Sequence, residues 1–339
     1  MIVDRYYYNQ LNKNEQIIYR CFYQGIMDRK DIIPIPVKGR MTQEVFNRIF
    51  EAMTRDNPLI YYLNQSTCSL ATDVLGHTAI CPQYFFSRER IHEYNRKIEK
   101  AVNELAADLK LQEGTEYEKE LKVHDWLCNF VSYDYDGADI SDPVRFMEAH
   151  NIVGVFAHHR AQCEGIAKAV KVLLNAVDIK CIVVTGKADG NGQNGSHAWN
   201  IVNIDGNAYQ LDITWDIGAG GKNKDRMAYD YFNLTDGMMY MDHTPDSKLP
   251  ICNSLDMNYF RNNKLVFNSK TRLLAYIDSL LKKGEMDFYF QLEGRLKMKD
   301  ILKDISDLSM SVMTKQGKRN VRIQHIPNEK LGICWVRIK

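Results

Sequence analysis

GSHAWNIVNIDGNAYQLDITWD (residues 195–216) sets two strand-like runs, HAWNIVNI and AYQLDITW, on either side of an Asp-Gly pair. Asp-Gly between alternating residues is a strong hairpin signal, because both residues tolerate the positive φ that a type I′ turn requires. With Asp205 and Gly206 as a two-residue turn, Ile204 faces Asn207 and His197 faces Thr214. Asp212 then becomes the diagonal neighbour of His197 on the same face. Such neighbours lie about 7–8 Å apart, within reach of a carboxylate-to-imidazole hydrogen bond. A four-residue turn keeps this register, whereas a three-residue turn puts Asp212 on the opposite face.

Upstream, RAQCEGIAKAV (160–170) places Cys163 directly before a run with Ile166, Val170, Leu173, Leu174 and Val177 at helical spacing. The spacing predicts an amphipathic helix from Cys163 to Val177. A cysteine at a helix N-terminus meets unpaired N–H groups and the positive end of the dipole, which favour its thiolate. A developing oxyanion can use the same N–H groups. A nucleophilic cysteine also needs a base and a group that orients the base. His197 opens a strand after the Gly- and Asn-rich segment ADGNGQNGS, and Asp212 follows on the hairpin, so Cys163, His197 and Asp212 are the candidate catalytic residues.

The runs QCEGIAKAVKVLLNAVDIKCIVVTG (162–186) and GSHAWNIVNIDGNAYQLDITWD resemble the core of the transglutaminase-like superfamily of papain-type thiol enzymes, in its bacterial branch. KVHDWLCNFVSYDYDG (122–137) and YDYFNLTD with Asp242-His243 are weaker echoes of the same family. The resemblance implies an α+β fold, with a helix bearing Cys163 packed on an antiparallel sheet bearing His197 and Asp212. It implies acyl transfer at an amide of a peptide or protein: Cys163 attacks, His197 moves the proton and Asp212 orients the ring. Water as acceptor gives a protease or amidase, and an amine gives a transglutaminase. Gln162 and Trp199 are the implied cleft residues and candidate oxyanion donors. Glu164 stands where animal transglutaminases carry tryptophan, and no calcium loop is evident, which weakens the cross-linking reading. Arylamine acetyltransferases share the Cys, His, Asp order, but the residues around their cysteine differ. A non-catalytic peptide-binding or scaffolding module of the same fold is the alternative.

The other signals are plainer. At 339 residues and 45% apolar, the chain can build a substantial core, and 44 basic against 43 acidic side chains favour no polyanion partner, nucleic acid included. The first thirty residues lack the apolar core of a secretion signal, and no run of about 20 apolar residues suggests a membrane span. The expectation is therefore cytoplasmic, or secreted if a leader has been removed. Eight cysteines, Cys21, Cys68, Cys81, Cys128, Cys163, Cys181, Cys252 and Cys334, show no CxxC and no regular spacing, arguing against a disulfide framework or a zinc site. His150, His158 and His159 lie near the cysteine in sequence but have no suitably spaced carboxylate, so no metal and no cofactor is expected.

Composition divides the chain into a mainly helical region (1–115), a catalytic core (116–255) and a small α+β domain (256–339). In the first, 5–30, 41–56 and 87–110 read as helices and PIPVKGR (34–40) as a loop. DIGAGGKNKDR (216–226) reads as a loop beside the hairpin. In the last, NKLVF, MDFYFQLE, RNVRIQHI and LGICWVRI read as strands, with helices at 270–284 and 298–315. The flanking regions are expected to select the substrate.

Overall fold

The computed structural model describes residues 5–36, 41–190, 193–221, 226–317 and 321–339. The chain folds as two compact units, one reaching to Tyr231 and including Asp242–Cys252, the other made of Phe232–Met241 and Asn253–Lys339.

The first unit opens with helix α1 (Lys13–Met27), closed at its N-terminus by a capping box between Asn12 and Glu15, and α2 (Gln43–Asp56), capped by Thr42. Phe22, Phe46 and Phe50 form their shared aromatic core. Strand β1 (Ile33–Pro34) stands at the start of the expected loop, and pairs with β3 (Thr78–Cys81), which also pairs with β2 (Ser69–Thr72). The rest of the expected loop, 37–40, lies outside the described residues. α3 (Arg88–Asp108) and α4 (Glu116–Phe130) follow, each with a side-chain N-cap, Ser87 and Thr115. Short strands β4 (Ser132–Tyr133) and β5 (Arg160–Ala161) pair in parallel across α5 (Pro143–Ala149) and α6 (Ile152–His158).

α7 (Cys163–Asn175) packs on an antiparallel sheet of β6 (Cys181–Gly190), β7 (Gln193–Ile204), β8 (Asn207–Leu211) and β9 (His243–Pro245), in the order β8-β7-β6-β9. This is the α+β core expected from the sequence. α7 is not amphipathic in its environment, however: every residue from Gly165 to Asn175 is buried, Lys168 and Lys171 among them. Hydrogen bonds make this tolerable, from Lys171 Nζ to the Cys181 carbonyl at 2.6 Å and from Lys168 Nζ to Asn151 Oδ1 at 2.8 Å. The helix also stops two residues short of Val177.

Two more expectations are corrected in the sheet. ADGNGQNGS is mostly strand, since β6 and β7 stay paired out to Gly190 and Gln193; residues 191 and 192 lie outside the described residues. The second hairpin strand ends at Leu211, and Ile213–Gly221 turn into helix α8 instead of continuing as strand and loop. Of the remaining loop, 222–225 lie outside the described residues.

Gly186 pairs with His197 on one side and Pro245 on the other. A Cβ there would sit 2.2 Å from the Thr244 carbonyl oxygen and 2.8 Å from the Trp199 ring, so only glycine allows β9 to dock. Gly186→Ala is expected to destabilise the fold by about 1–3 kcal/mol, the usual cost of forcing atoms into a packed core. An unchanged midpoint in urea would refute this.

The second unit adds α9 (Asp236–Met239), α10 (Tyr259–Asn262), α11 (Lys270–Lys282) and α12 (Met298–Lys315). Its sheet runs β10 (Val266–Phe267), β11 (Asp287–Leu292), β13 (Ile333–Ile338) and β12 (Ile323–Asn328), with β10 parallel to β11. Leu273, Ile277 and Leu281 of α11 and Ile301, Ile305 and Met313 of α12 share one core with Phe288, Phe290 and Val336 of the sheet. Pro327 sits in edge strand β12, where its missing N–H costs no interior ladder bond. NKLVF gives only a two-residue strand, after the turn of α10.

Candidate active site

Cys163 is the first residue of α7. Its predecessor, Gln162, has the extended dihedrals of an N-cap (φ −79°, ψ 170°), yet no side chain caps the helix. The dipole and first-turn N–H groups of a 13-residue helix therefore act on whatever stands at its start, here a half-buried thiol packed beside Ala167, Val183 and Ala198. Asn200 of β7 donates to the Ala167 carbonyl at 2.9 Å, which ties the sheet to α7 one turn beyond the cysteine.

That tie sets His197 beside Cys163, close enough for the sulfur to act on the ring. His197 Nε2 lies 2.7 Å from Asp212 Oδ2, leaving Nδ1 for the sulfur. The hairpin register is the one expected, with Ile204 opposite Asn207 and Asn200 opposite Leu211. Asp212 nevertheless does not meet His197 as a neighbour in a ladder. It stands at the junction of β8 and α8, where its N–H donates to the Tyr231 carbonyl and its Oδ1 accepts the Trp215 N–H at 3.1 Å. Thr214 lies within α8, not opposite His197.

Burial alone would lower the His197 pKa, but the charge and hydrogen bond of Asp212, with the sulfur of Cys163, raise it to about 10. Burial would likewise raise the Asp212 carboxyl, yet His197 and a second histidine, His243, hold it far below the usual carboxylate range. His243 Nε2 lies 3.1 Å from the same Asp212 Oδ2, and its Nδ1 lies 2.7 Å from Asp242 Oδ1. The Tyr231 hydroxyl donates to Asp242 Oδ2 at 2.9 Å.

Gln162 is buried: its Oε1 accepts from the Tyr133 hydroxyl at 2.6 Å and its Nε2 donates to the Asp134 carbonyl. Burial, then the charge of the Cys163 sulfur nearby, push the Tyr133 phenol up and keep it protonated. Trp199 is 1% exposed, its N–H donates to Gln210 Oε1 at 2.8 Å, and its ring stacks on His197. Both expected cleft residues thus brace the site from beneath. Beside Tyr133 a pocket of about 310 Å³ is lined by Phe130, Tyr135, Cys128, Ile217 and Met227.

His150, His158 and His159 do not gather: His150 bonds the Phe146 carbonyl, His158 bonds Glu148, and His159 ends α6. Among the described residues the spacing of a metal-ligand set occurs in His197, Asp212 and His243, whose ligand atoms lie within 4.8 Å of one another. Both rings are already engaged with one carboxylate oxygen, so a cation would have to displace two hydrogen bonds there.

Sequence reasoning gave no role to Tyr133 or to the link from Asp212 through His243 to Asp242 and Tyr231; the signals were the echoes KVHDWLCNFVSYDYDG, YDYFNLTD and Asp242-His243. It also missed a second Cys, His, Asp grouping. His124 bonds Asp125 and Asp216 at 3.0 and 3.1 Å, with Cys128 Sγ 3.6 Å away. Burial pushes the Cys128 thiol up, so this group joins α4 to α8 and makes a poor nucleophile. The eight cysteines form no disulfide among the described residues.

Residues 103–212 match the transglutaminase-like superfamily, and the matched segment contains Cys163, His197 and Asp212. This segment, about a third of the chain, is transglutaminase-like. Over 163 residues the chain is 24% identical to kyphoscoliosis peptidase of Mus musculus, and over 159 residues 25% identical to that of Homo sapiens. The alignments cover 44% and 43% of this chain but only 24% and 23% of the relatives, so the chain spans about a quarter of their length. A crystal structure of a TGase overlaps 54% of this chain and 50% of its own, with 16% identity and a TM-score of 0.31. No described helix is long and apolar enough to cross a membrane.

Proposed function

We propose that this protein is a thiol hydrolase acting on amide bonds of a peptide or protein, with Cys163, His197 and Asp212 as its catalytic triad. The observation that carries the reading is the convergence of Cys163, at an uncapped helix start, with His197, whose ring is hydrogen-bonded to the buried carboxylate of Asp212. The thiolate attacks the amide carbonyl, and the resulting oxyanion is held by first-turn N–H groups of α7. The imidazolium of His197 gives its proton to the departing amine, leaving an acyl-thioester on Cys163. His197 then takes a proton from water, which attacks the thioester and releases the acid and the thiolate. Asp212 holds Nε2, so Nδ1 remains the nitrogen that exchanges protons. Water as acceptor is favoured by Glu164 after the nucleophile and by the similarity to kyphoscoliosis peptidase. The pocket beside Tyr133, rimmed by exposed Phe130 and Tyr135, takes a substrate side chain.

Labelling with iodoacetamide near pH 6 tests the reading. Cys163 should alkylate far faster than the other seven cysteines, and equal rates would sink the catalytic assignment. Mass spectrometry of casein treated with the protein, with and without an added amine, then separates cleavage from deamidation and cross-linking.

A further inference from the structure

Asp212 Oδ2 serves two imidazoles. His243 has both ring nitrogens against carboxylates, Asp212 at 3.1 Å and Asp242 at 2.7 Å, an arrangement that only the doubly protonated ring satisfies in full. Its side chain is fully buried, and Tyr231 fixes Asp242 from behind. The ring centroids of His243 and His197 are 5.4 Å apart, and Trp199 and Trp215 close around them. The titratable groups facing the pair are Asp212 at the end of β8, Asp242 before β9, Tyr231, and Cys163 on α7 with Tyr133 behind it.

A lone carboxylate beside His197 would lock it as imidazolium, good for protonating an amine but poor for activating water. A second cation on the same carboxylate opposes that lock. We infer that His243 is a positioning residue that takes a share of Asp212 and, as a fixed cation, makes His197 easier to deprotonate. Asp242 and Tyr231 hold His243 in that role. This inference rests on the triad reading above. At about 5 Å a unit charge in a partly screened interior is expected to move a neighbouring midpoint by one to two pH units, roughly.

The test is the rate of Cys163 alkylation by iodoacetate against pH, read by peptide mass spectrometry. The reagent is anionic, so its rate falls as the His197 imidazolium loses its proton. In H243Q the falling limb should move up by about one pH unit, because a neighbouring positive charge is gone. D242N, which weakens the hold on the His243 proton, should move it the same way by less. A merely structural defect would change rates without moving the midpoint. H197Q is the control: if it leaves the profile intact, the triad reading fails. If H197Q abolishes reactivity at low pH while H243Q and D242N leave the limb in place, the triad stands and the role given to His243 is wrong. Should H243Q not fold, D242N and Y231F decide the matter.

Discussion

Cys163→Ser should lower amide turnover by at least about 10³-fold while leaving the unfolding midpoint nearly unchanged. The side chains are close in size, and the residue is half-buried beside small neighbours, Ala167 and Ala198, so packing has little reason to change. What changes is acidity. Thiolate sulfur is the nucleophile such a site uses, and a serine hydroxyl in the same place is a far weaker one. Undiminished cleavage of casein by the serine variant would remove Cys163 from the mechanism.

Asp212→Asn is expected to cost about 10⁴-fold in turnover, the scale seen when the orienting carboxylate of a triad is neutralised. The sign follows from the electrostatics. His197 is held up to about 10 against burial chiefly by Asp212. Without that charge, burial prevails, the ring loses its proton more readily, and the thiolate loses its counter-ion. Low-pH alkylation of Cys163 should therefore disappear together with turnover. Unlike the serine variant, this one should also be less stable, because His243 keeps Asp242 but loses one of its two carboxylates in a buried site. Retained alkylation near pH 6 would show that the carboxylate is not what sustains the ion pair.

Much of this site was legible because local rules and long-range geometry agree. Asp205-Gly206 fixes the turn and with it the register as far as Leu211, and Cys163 opens a helix whose apolar spacing is clear. The misreadings have local physical causes. ITW has high strand propensity, yet the Asp212 side chain accepts the Trp215 N–H, and this capping bond starts α8 instead. Lys168 and Lys171 mark a solvent face in a sequence, but Asn151 and the Cys181 carbonyl receive their ammonium groups inside the fold. Asp242-His243 was visible as an echo of the family, but the place of His243 against Asp212 was not. His243 arrives 31 residues after Asp212 on a strand added to the far edge of the sheet, and no periodicity encodes that crossing.

The two oxygens of Asp212 divide their work, Oδ2 to the imidazoles and Oδ1 to the backbone of α8. On the proposed triad, the orienting carboxylate is thereby part of a helix's own start, and fraying of that first turn and disorientation of the base become one event. A partner that peeled α8 open would silence the thiol without approaching it, and a ligand that tightened the turn would quicken it. Local unfolding of one helix turn would then act on the proposed site from outside its cleft.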